Sequence, residues 1–285
     1  MVDRTAVSAT DARARLLDLA RAWHVTIERI VVTRAALVGF GVRQRDHVVV
    51  KVVSFPHDEW NGGAVAAAFC GSGVVRVHEH VPGAVLLEQA RPGTPLTEVV
   101  RAGRDDEATN ILARVVESMM AVSPSTAGHV TAEHWGAGFR RYLASGDQRI
   151  PTGLVEEARE RYIELCGTQT QVRLLHGDLQ HYNILLDVDR GWVAIDPKGV
   201  VAEVEFELAA GLRNPHGVPE LYTTFAIERR VGRLVDALAI DRDRVIAWAF
   251  ALAVLSAIWT IEDDGDFERD DPAVQVAEAA QALLR

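Results

Sequence analysis

Cysteine is scarce in this 285-residue chain: there are two, Cys70 and Cys166, and no metal-ligand spacing joins them. Two thiols cannot make a disulfide framework, so both read as buried thiols in a reducing compartment. Positive charge is also short, with 30 Lys+Arg against 40 Asp+Glu and a formal net charge of -10. An acidic chain repels phosphate backbones, which argues against sequence-independent nucleic-acid binding. The same field suits a cationic small molecule, because a negative cleft concentrates positive ligands, or it serves only to keep the surface soluble. Long apolar runs are missing as well. The densest, Val245 to Ile261, is a little short for a membrane span and is flanked by Arg242, Asp243, Arg244 and Glu262, Asp263, Asp264, so it reads as a buried helix. Met1 to Leu19 mixes Asp and Arg with short apolar stretches, unlike a signal peptide. There is no internal repeat and no low-complexity segment. The expectation is a cytoplasmic protein, monomer or homodimer, that engages neither nucleic acid nor membrane.

What is present is ordinary globular material: 48% apolar and 25% charged residues, over a length that suits one large domain or two smaller ones. Thr10 to His24 has apolar residues at helical spacing (Ala12, Leu16, Leu19, Ala20, Trp23). Ile30 to Val38 and Val48 to Val53 read as strands, joined through Gly39-Phe40-Gly41 and a polar turn at Arg43 to His47. Pro56 to Phe69 reads as a helix, and Val74 to Val77 and Ala84 to Glu88 as two further strands. Arg91-Pro92-Gly93-Thr94-Pro95 is the strongest turn cluster and reads as a linker. It predicts a strand-rich lobe over residues 1–90 and a helix-rich lobe over residues 91–285.

The chemistry concentrates in residues 174–187, LLHGDLQHYNILLD, and 192–199, WVAIDPKG. Phosphoryl transfer needs a carboxylate to orient the attacking hydroxyl, a metal site to bridge phosphates and a lysine to neutralise nucleotide charge. In protein kinases a His and an Asp open the catalytic loop, an Asn follows five residues after that Asp, and a second Asp binds metal further on. Here His176 and Asp178 open the loop, Asn183 stands five residues after Asp178, and Asp196 follows the apolar run Trp192 to Ile195. Ile184 to Leu186 and Trp192 to Ile195 can form a hairpin that brings Asn183 and Asp196 side by side. Their oxygens are the hard ligands that Mg²⁺ prefers.

Upstream, Lys51 lies inside the valine-rich strand Val48 to Val53, where an ammonium needs a partner if buried. It fits the lysine that contacts ATP phosphates, with Glu59 as its carboxylate partner, although Trp60-Asn61-Gly62-Gly63 around Glu59 are poor helix formers. Gly39-Phe40-Gly41 is either a fragment of a phosphate-covering loop or an ordinary hairpin turn.

These segments resemble the aminoglycoside/hydroxyurea antibiotic-resistance kinases, the group that includes streptomycin 6-phosphotransferases. The resemblance rests on His-Gly-Asp-Leu at 176–179, on Asp-Pro-Lys-Gly at 196–199 in place of the Asp-Phe-Gly of protein kinases, and on residues 203–215, 247–264 and 71–96. Gln180 and Tyr182 stand where the family often has His and Glu. The resemblance implies an α+β, protein-kinase-like two-lobed fold, with a small antiparallel-sheet N-lobe and a mainly helical C-lobe. It implies an ATP- and Mg²⁺-dependent phosphotransferase, with Asp178 as the catalytic carboxylate, Asn183 and Asp196 as metal ligands and Lys51 on the ATP phosphates. Glu88, Gln89 and Ala90 would form the hinge that meets adenine through backbone hydrogen bonds, and Glu207 would support the catalytic loop. The acceptor it suggests is an aminoglycoside such as streptomycin, a cationic guanidino sugar that Glu203, Glu205, Glu133, Glu262, Asp263 and Asp264 could bind as carboxylates. Trp135 and Trp259 either stack on that guanidinium or belong to the core. Hydroxyurea, another hydroxylated metabolite, or a kinase fold that binds nucleotide without catalysis are the competing possibilities.

Overall fold

The computed structural model describes residues 9–263, 267 and 271–285. In chain order the elements are α1 (Ala9–Ala22), β1 (Thr26–Val32), β2 (Ala36–Arg43), β3 (Asp46–Val53), α2 (Gly62–Ala68), β4 (Val77–Val81), β5 (Ala84–Glu88), β6 (Pro92–Pro95), α3 (Thr97–Arg101) and α4 (Asp105–Met120). There follow α5 (Ala132–Trp135), α6 (Ala137–Ser145), α7 (Thr152–Gly167), β7 (Arg173–Leu175), β8 (Ile184–Asp187), β9 (Gly191–Ala194), β10 (Val200–Ala202), α8 (Val204–Leu212), α9 (Thr224–Leu238), α10 (Arg242–Asp263) and α11 (Pro272–Leu283).

The chain divides into two compact units, and the division is discontinuous. The first takes the chain up to Pro95 together with Val115–Pro124 and Asn183–Gly199; the second takes Leu96–Arg114, Ser125–Tyr182 and everything from Val200. A single boundary at residue 90 is therefore too simple. The Arg91–Pro95 segment is not a free linker: it forms β6 and pairs with β8 (Thr94 opposite Leu186, Pro95 opposite Leu185). That pairing gathers the hairpin β8–β9 into the first unit.

In the first unit an antiparallel sheet runs in the order β1-β2-β3-β5-β4. Its core face is built from Leu37, Val48, Val50, Val52 and Leu86, and α1 lays Ala12, Leu16 and Ala20 across it. Each such Leu or Val, taken out of water, contributes about 1.5–3 kcal/mol. The expected strand Ile30 to Val38 is two strands with a turn at 33–35, and Gly39-Phe40-Gly41 lies inside β2 rather than in a loop. The glycines are there for close approach. A Cβ on Gly39 would sit 3.1 Å from the side chains of Leu16 and Ile27, and one on Gly41 would sit 2.2 Å from the carbonyl oxygen of Thr26. Helix α2 begins only at Gly62, so the first part of the expected helix, residues 56–61, is an irregular approach.

The second unit is helical around the pair β7–β10, registered as Leu175–Val200, Leu174–Val201 and Arg173–Ala202. Helix α10 is long and apolar enough to cross a membrane by length and composition, but it is buried from Val245 through Leu255 by its own unit, against α7, α8 and α11. An aromatic chain runs through this core: Trp248 meets Tyr162 and Phe206 edge-on at centroid distances of 5.2 and 5.0 Å.

Candidate active site

In the first unit, Lys51 sits mid-strand in β3 with only 9% of its surface exposed. Its Nζ lies 2.6 Å from Glu59 Oε2 and 2.8 Å from Asp196 Oδ1. Burial pulls the ammonium pKa down, but the two carboxylates more than offset this and hold it above its ordinary value. The lysine is therefore a fixed positive charge. Glu59 reaches it from the irregular segment before α2, and the poor helix formers that follow have a packing role. A Cβ on Gly62 would lie 2.8 Å from the Pro197 carbonyl, and one on Gly63 would lie 3.0 Å from the side chains of His80 and Val85. Gly62 lets α2 approach the loop that carries Asp196, and Gly63 lets it approach β4 and β5.

The hairpin β8–β9 pairs Ile184 with Ala194 and closes on the amide of Ile195, which donates to the Asn183 carbonyl at 2.9 Å. Asn183 and Asp196 therefore leave the same end of one hairpin. Asp196 adopts the left-handed region, φ 59°. That conformation is costly for a residue with a Cβ, and residues held in it concentrate at functional sites. Gly199 (φ 81°) then packs its open face on Val65 and ends the loop.

Of the three expected hinge residues, two have their amides engaged. The Glu88 N–H donates to the Arg76 carbonyl and the Gln89 N–H to the His47 carbonyl. The Glu88 carboxylate is held by Arg190 and by the Arg76 amide. Only the Ala90 N–H, on a residue 8% exposed, donates to nothing among the described residues. An orphaned amide of this kind fits an acceptor nitrogen of a purine ring.

In the second unit the loop after β7 carries Asp178. Leu179 and His181 point inward, 0% and 2% exposed, while Asp178 stays half-buried. The Asp178 amide donates to His176 Nδ1 at 3.2 Å. Glu207, on α8, accepts from the Gly177 amide at 3.0 Å and the Leu179 amide at 3.3 Å, the two peptide groups flanking Asp178. Burial pushes the Glu207 carboxyl up to about 7, against the pull of those amides.

The substrate carboxylates fare unevenly. Glu203 is removed from the candidates: it is 4% exposed and accepts from Arg244 Nε at 2.8 Å and Trp248 Nε1 at 2.6 Å. It ties α8 to α10. Glu262 is gripped by Arg141 through two bonds of 2.9 and 2.8 Å. Glu205 is half-buried in the first turn of α8, and burial raises its pKa. Asp263 is exposed at the end of α10, and Asp264 lies outside the described residues. Glu133 lines a cavity of about 330 Å³ with Tyr162 and Cys166. Trp135 and Trp259 meet each other edge-on at 5.5 Å, and Trp135 also meets Phe206, so they share the aromatic core.

One signal in the sequence went unused. The 30 Lys+Arg residues include only two lysines, Lys51 and Lys198, and both flank Asp196, one in space and one in sequence. Where arginine is the default cation, a retained lysine marks a place that needs a compact ammonium.

A five-stranded antiparallel sheet with a lysine–glutamate pair, a His-Gly-Asp loop braced by a buried glutamate, and a hairpin carrying Asn and Asp define a protein-kinase-like phosphotransferase. The chain belongs to the aminoglycoside/hydroxyurea antibiotic resistance kinase family, which it matches over residues 11–265. It is 33% identical over 248 residues to a streptomycin 3''-kinase of Klebsiella pneumoniae, covering 85% of this chain and 90% of that one. It is 30% identical over 236 residues to a hydroxyurea phosphotransferase of Kitasatospora aureofaciens, covering 78% and 65%. In fold it is similar to a thermostable mutant of aminoglycoside phosphotransferase APH(4)-Ia, crystallised with ADP and hygromycin B, at TM-score 0.64 and 13% identity over 95% of this chain and 97% of that one. The protein is an aminoglycoside phosphotransferase-like kinase.

Proposed function

We propose that the enzyme transfers the γ-phosphate of ATP to a hydroxyl of a cationic small molecule, with an aminoglycoside such as streptomycin as the first candidate. The observation that carries this is the Lys51–Glu59–Asp196 constellation, a buried ammonium held between two carboxylates. Lys51 binds the triphosphate, the Ala90 amide meets the adenine, and Asp178 orients the acceptor hydroxyl and takes up its proton. Asn183 and Asp196 hold Mg²⁺. Among the described residues no cluster of three or more His, Cys, Asp or Glu could hold a metal alone. Mg²⁺ ordinarily needs only one or two protein ligands, with waters and phosphates completing its shell, so this pair fits. Bound there, the ion would supply positive charge that neutralises the phosphates. The acceptor class is supported by the kinases of streptomycin among the relatives, and by the chain's net charge of -10, which favours a cation.

Hydroxyurea is the second reading, supported by the phosphotransferase relative at 30% identity. The test is ADP release by purified protein with ATP and Mg²⁺, with streptomycin, other aminoglycosides, hydroxyurea or no acceptor. Stimulation by streptomycin supports the first reading, and stimulation by hydroxyurea alone replaces it. Failure of every acceptor, with hydrolysis that still requires Asp178, moves the substrate outside both classes.

A further inference from the structure

The hairpin β8–β9 lies whole within the first unit, as do β5 and the residues that follow it up to Pro95. Its open end carries Asn183 and Asp196. Its turn is fastened to the expected hinge at two points. At the first, Asp187 accepts the Arg91 amide on Oδ2 at 3.0 Å, and the Asp189 and Arg190 amides on Oδ1 at 3.0 and 2.9 Å. The Val188 amide donates back to the Arg91 carbonyl at 2.7 Å. At the second, Arg190 donates from Nη1 to Glu88 Oε1. Its Nη2 donates to the carbonyl of Gly71 and, at 3.2 Å, to that of Val74. The side chains of Arg190 and Glu88 are only 16% and 20% exposed.

Arginine suits this place because its planar fork can reach several acceptors at once. Here it joins three segments: the hairpin turn, the end of β5 and the loop before β4. That loop in turn pairs with β9. The Ala194 amide donates to the Gly73 carbonyl at 2.7 Å, and the Val75 amide to the Ala194 carbonyl at 2.9 Å, two residues before Asp196. An ion pair taken out of water gains little net stability, because desolvation consumes most of the attraction. What the pair supplies is registry. From Asn183 to Asp187 is four residues of extended chain, about 13 Å, on the scale of a nucleoside triphosphate.

Resting on the function proposed above, we infer that Arg190 is a positioning residue for ATP. By holding the Glu88 carboxylate it keeps the Ala90 amide, which meets the purine, in register with the hairpin end whose Asp196 serves the phosphates. Arg190 acts through Glu88 rather than on the nucleotide. The contacts of Lys51 with Glu59 and Asp196 do not pass through it. Its loss therefore falls on the purine end of the nucleotide and spares the phosphate end.

The test measures binding of ADP and of inorganic tripolyphosphate, each with Mg²⁺, to wild type, Arg190→Gln, Arg190→Lys, Glu88→Gln and the double variant Arg190→Gln/Glu88→Gln. Arg190→Gln is expected to weaken ADP binding by about tenfold or more, the scale of one charge-assisted hydrogen bond. Tripolyphosphate should bind it as it binds wild type, and Arg190→Lys should recover part of the loss for ADP. Because both single variants break the same contact, the double variant should lose less than the product of the two single losses. In turnover, KM for ATP should rise by a larger factor than kcat falls. An Arg190→Gln variant that binds ADP as tightly as wild type overturns the inference. So does one that loses tripolyphosphate in the same proportion as ADP, or a double variant whose losses simply multiply. Wild type that binds no ADP overturns the proposed function and this inference with it, whereas tight binding by wild type and variant alike overturns this inference alone.

Discussion

Lys51 stands between Glu59 and Asp196, 2.6 Å from one carboxylate and 2.8 Å from the other, although Glu59 lies 8 residues downstream in sequence and Asp196 belongs to a distant hairpin. Two carboxylates around one ammonium fix its position and keep it charged. Substituting Lys51 leaves two half-buried carboxylates without the cation between them. Lys51→Met is expected to lower kcat/KM for ATP by about 10²-fold or more, the scale of removing one preorganised charge. Lys51→Arg should fail as well, because a planar fork cannot take the place of a compact ammonium between two carboxylates. Steady-state kinetics with varied ATP checks both, and an arginine variant of normal efficiency would contradict the geometry.

Asp178→Asn removes the proposed proton acceptor while keeping the side chain's shape. Turnover is expected to fall by about 10²–10⁴-fold, the usual contribution of a general base. Glu207 holds the loop through the Gly177 and Leu179 amides, which this substitution leaves in place, so the melting temperature should stay close to that of wild type. Single-turnover phosphate transfer separates this loss from one in product release.

Glu207 gives a pH signature. Its folded pKa, pushed up by burial to about 7, exceeds the ordinary 4.5. The folded state thus holds a proton that the unfolded chain releases between those values. Its contribution to stability is full below about pH 4.5 and is lost as pH rises through 7. Glu207→Gln cannot titrate, so the difference in melting temperature between wild type and variant should change across that window. A constant difference would mean that Glu207 keeps an ordinary pKa in the fold.

The glycines of β2 and α7 should respond oppositely to alanine. Gly41→Ala places a methyl 2.2 Å from a backbone oxygen of the adjacent strand and is expected to destabilise by about 1–3 kcal/mol. Gly153, in the first turn of α7, has nothing within 4 Å of its would-be Cβ, and alanine there is expected to stabilise by about 0.4–1 kcal/mol. Denaturant unfolding of the two variants measures both.

The parts legible in the sequence are those whose logic is local. Asp178, Asn183 and Asp196 fall within one loop and one hairpin, so residue type and spacing were enough to mark them. Gly39 and Gly41 read in sequence as phosphate-loop or turn residues, because a glycine that admits Leu16, Ile27 and the Thr26 carbonyl has the same letter as one that turns the chain. Glu203 reads in the sequence as a candidate carboxylate for a cationic substrate. What buries it is Arg244 and Trp248, 41 and 45 residues further on.

By itself the sequence determined the family and the kinase-like fold and marked the proposed catalytic residues, because phosphoryl transfer demands particular side chains at characteristic spacings. The tertiary structure decided which charges are satisfied and which are not. It engaged Glu203 with Arg244 and Trp248, left the Ala90 amide without an acceptor among the described residues, and closed Lys51 between Glu59 and Asp196. Burial and pairing are set by contacts between residues far apart in the chain, and the free energy of a charge depends on those contacts rather than on its neighbours in sequence.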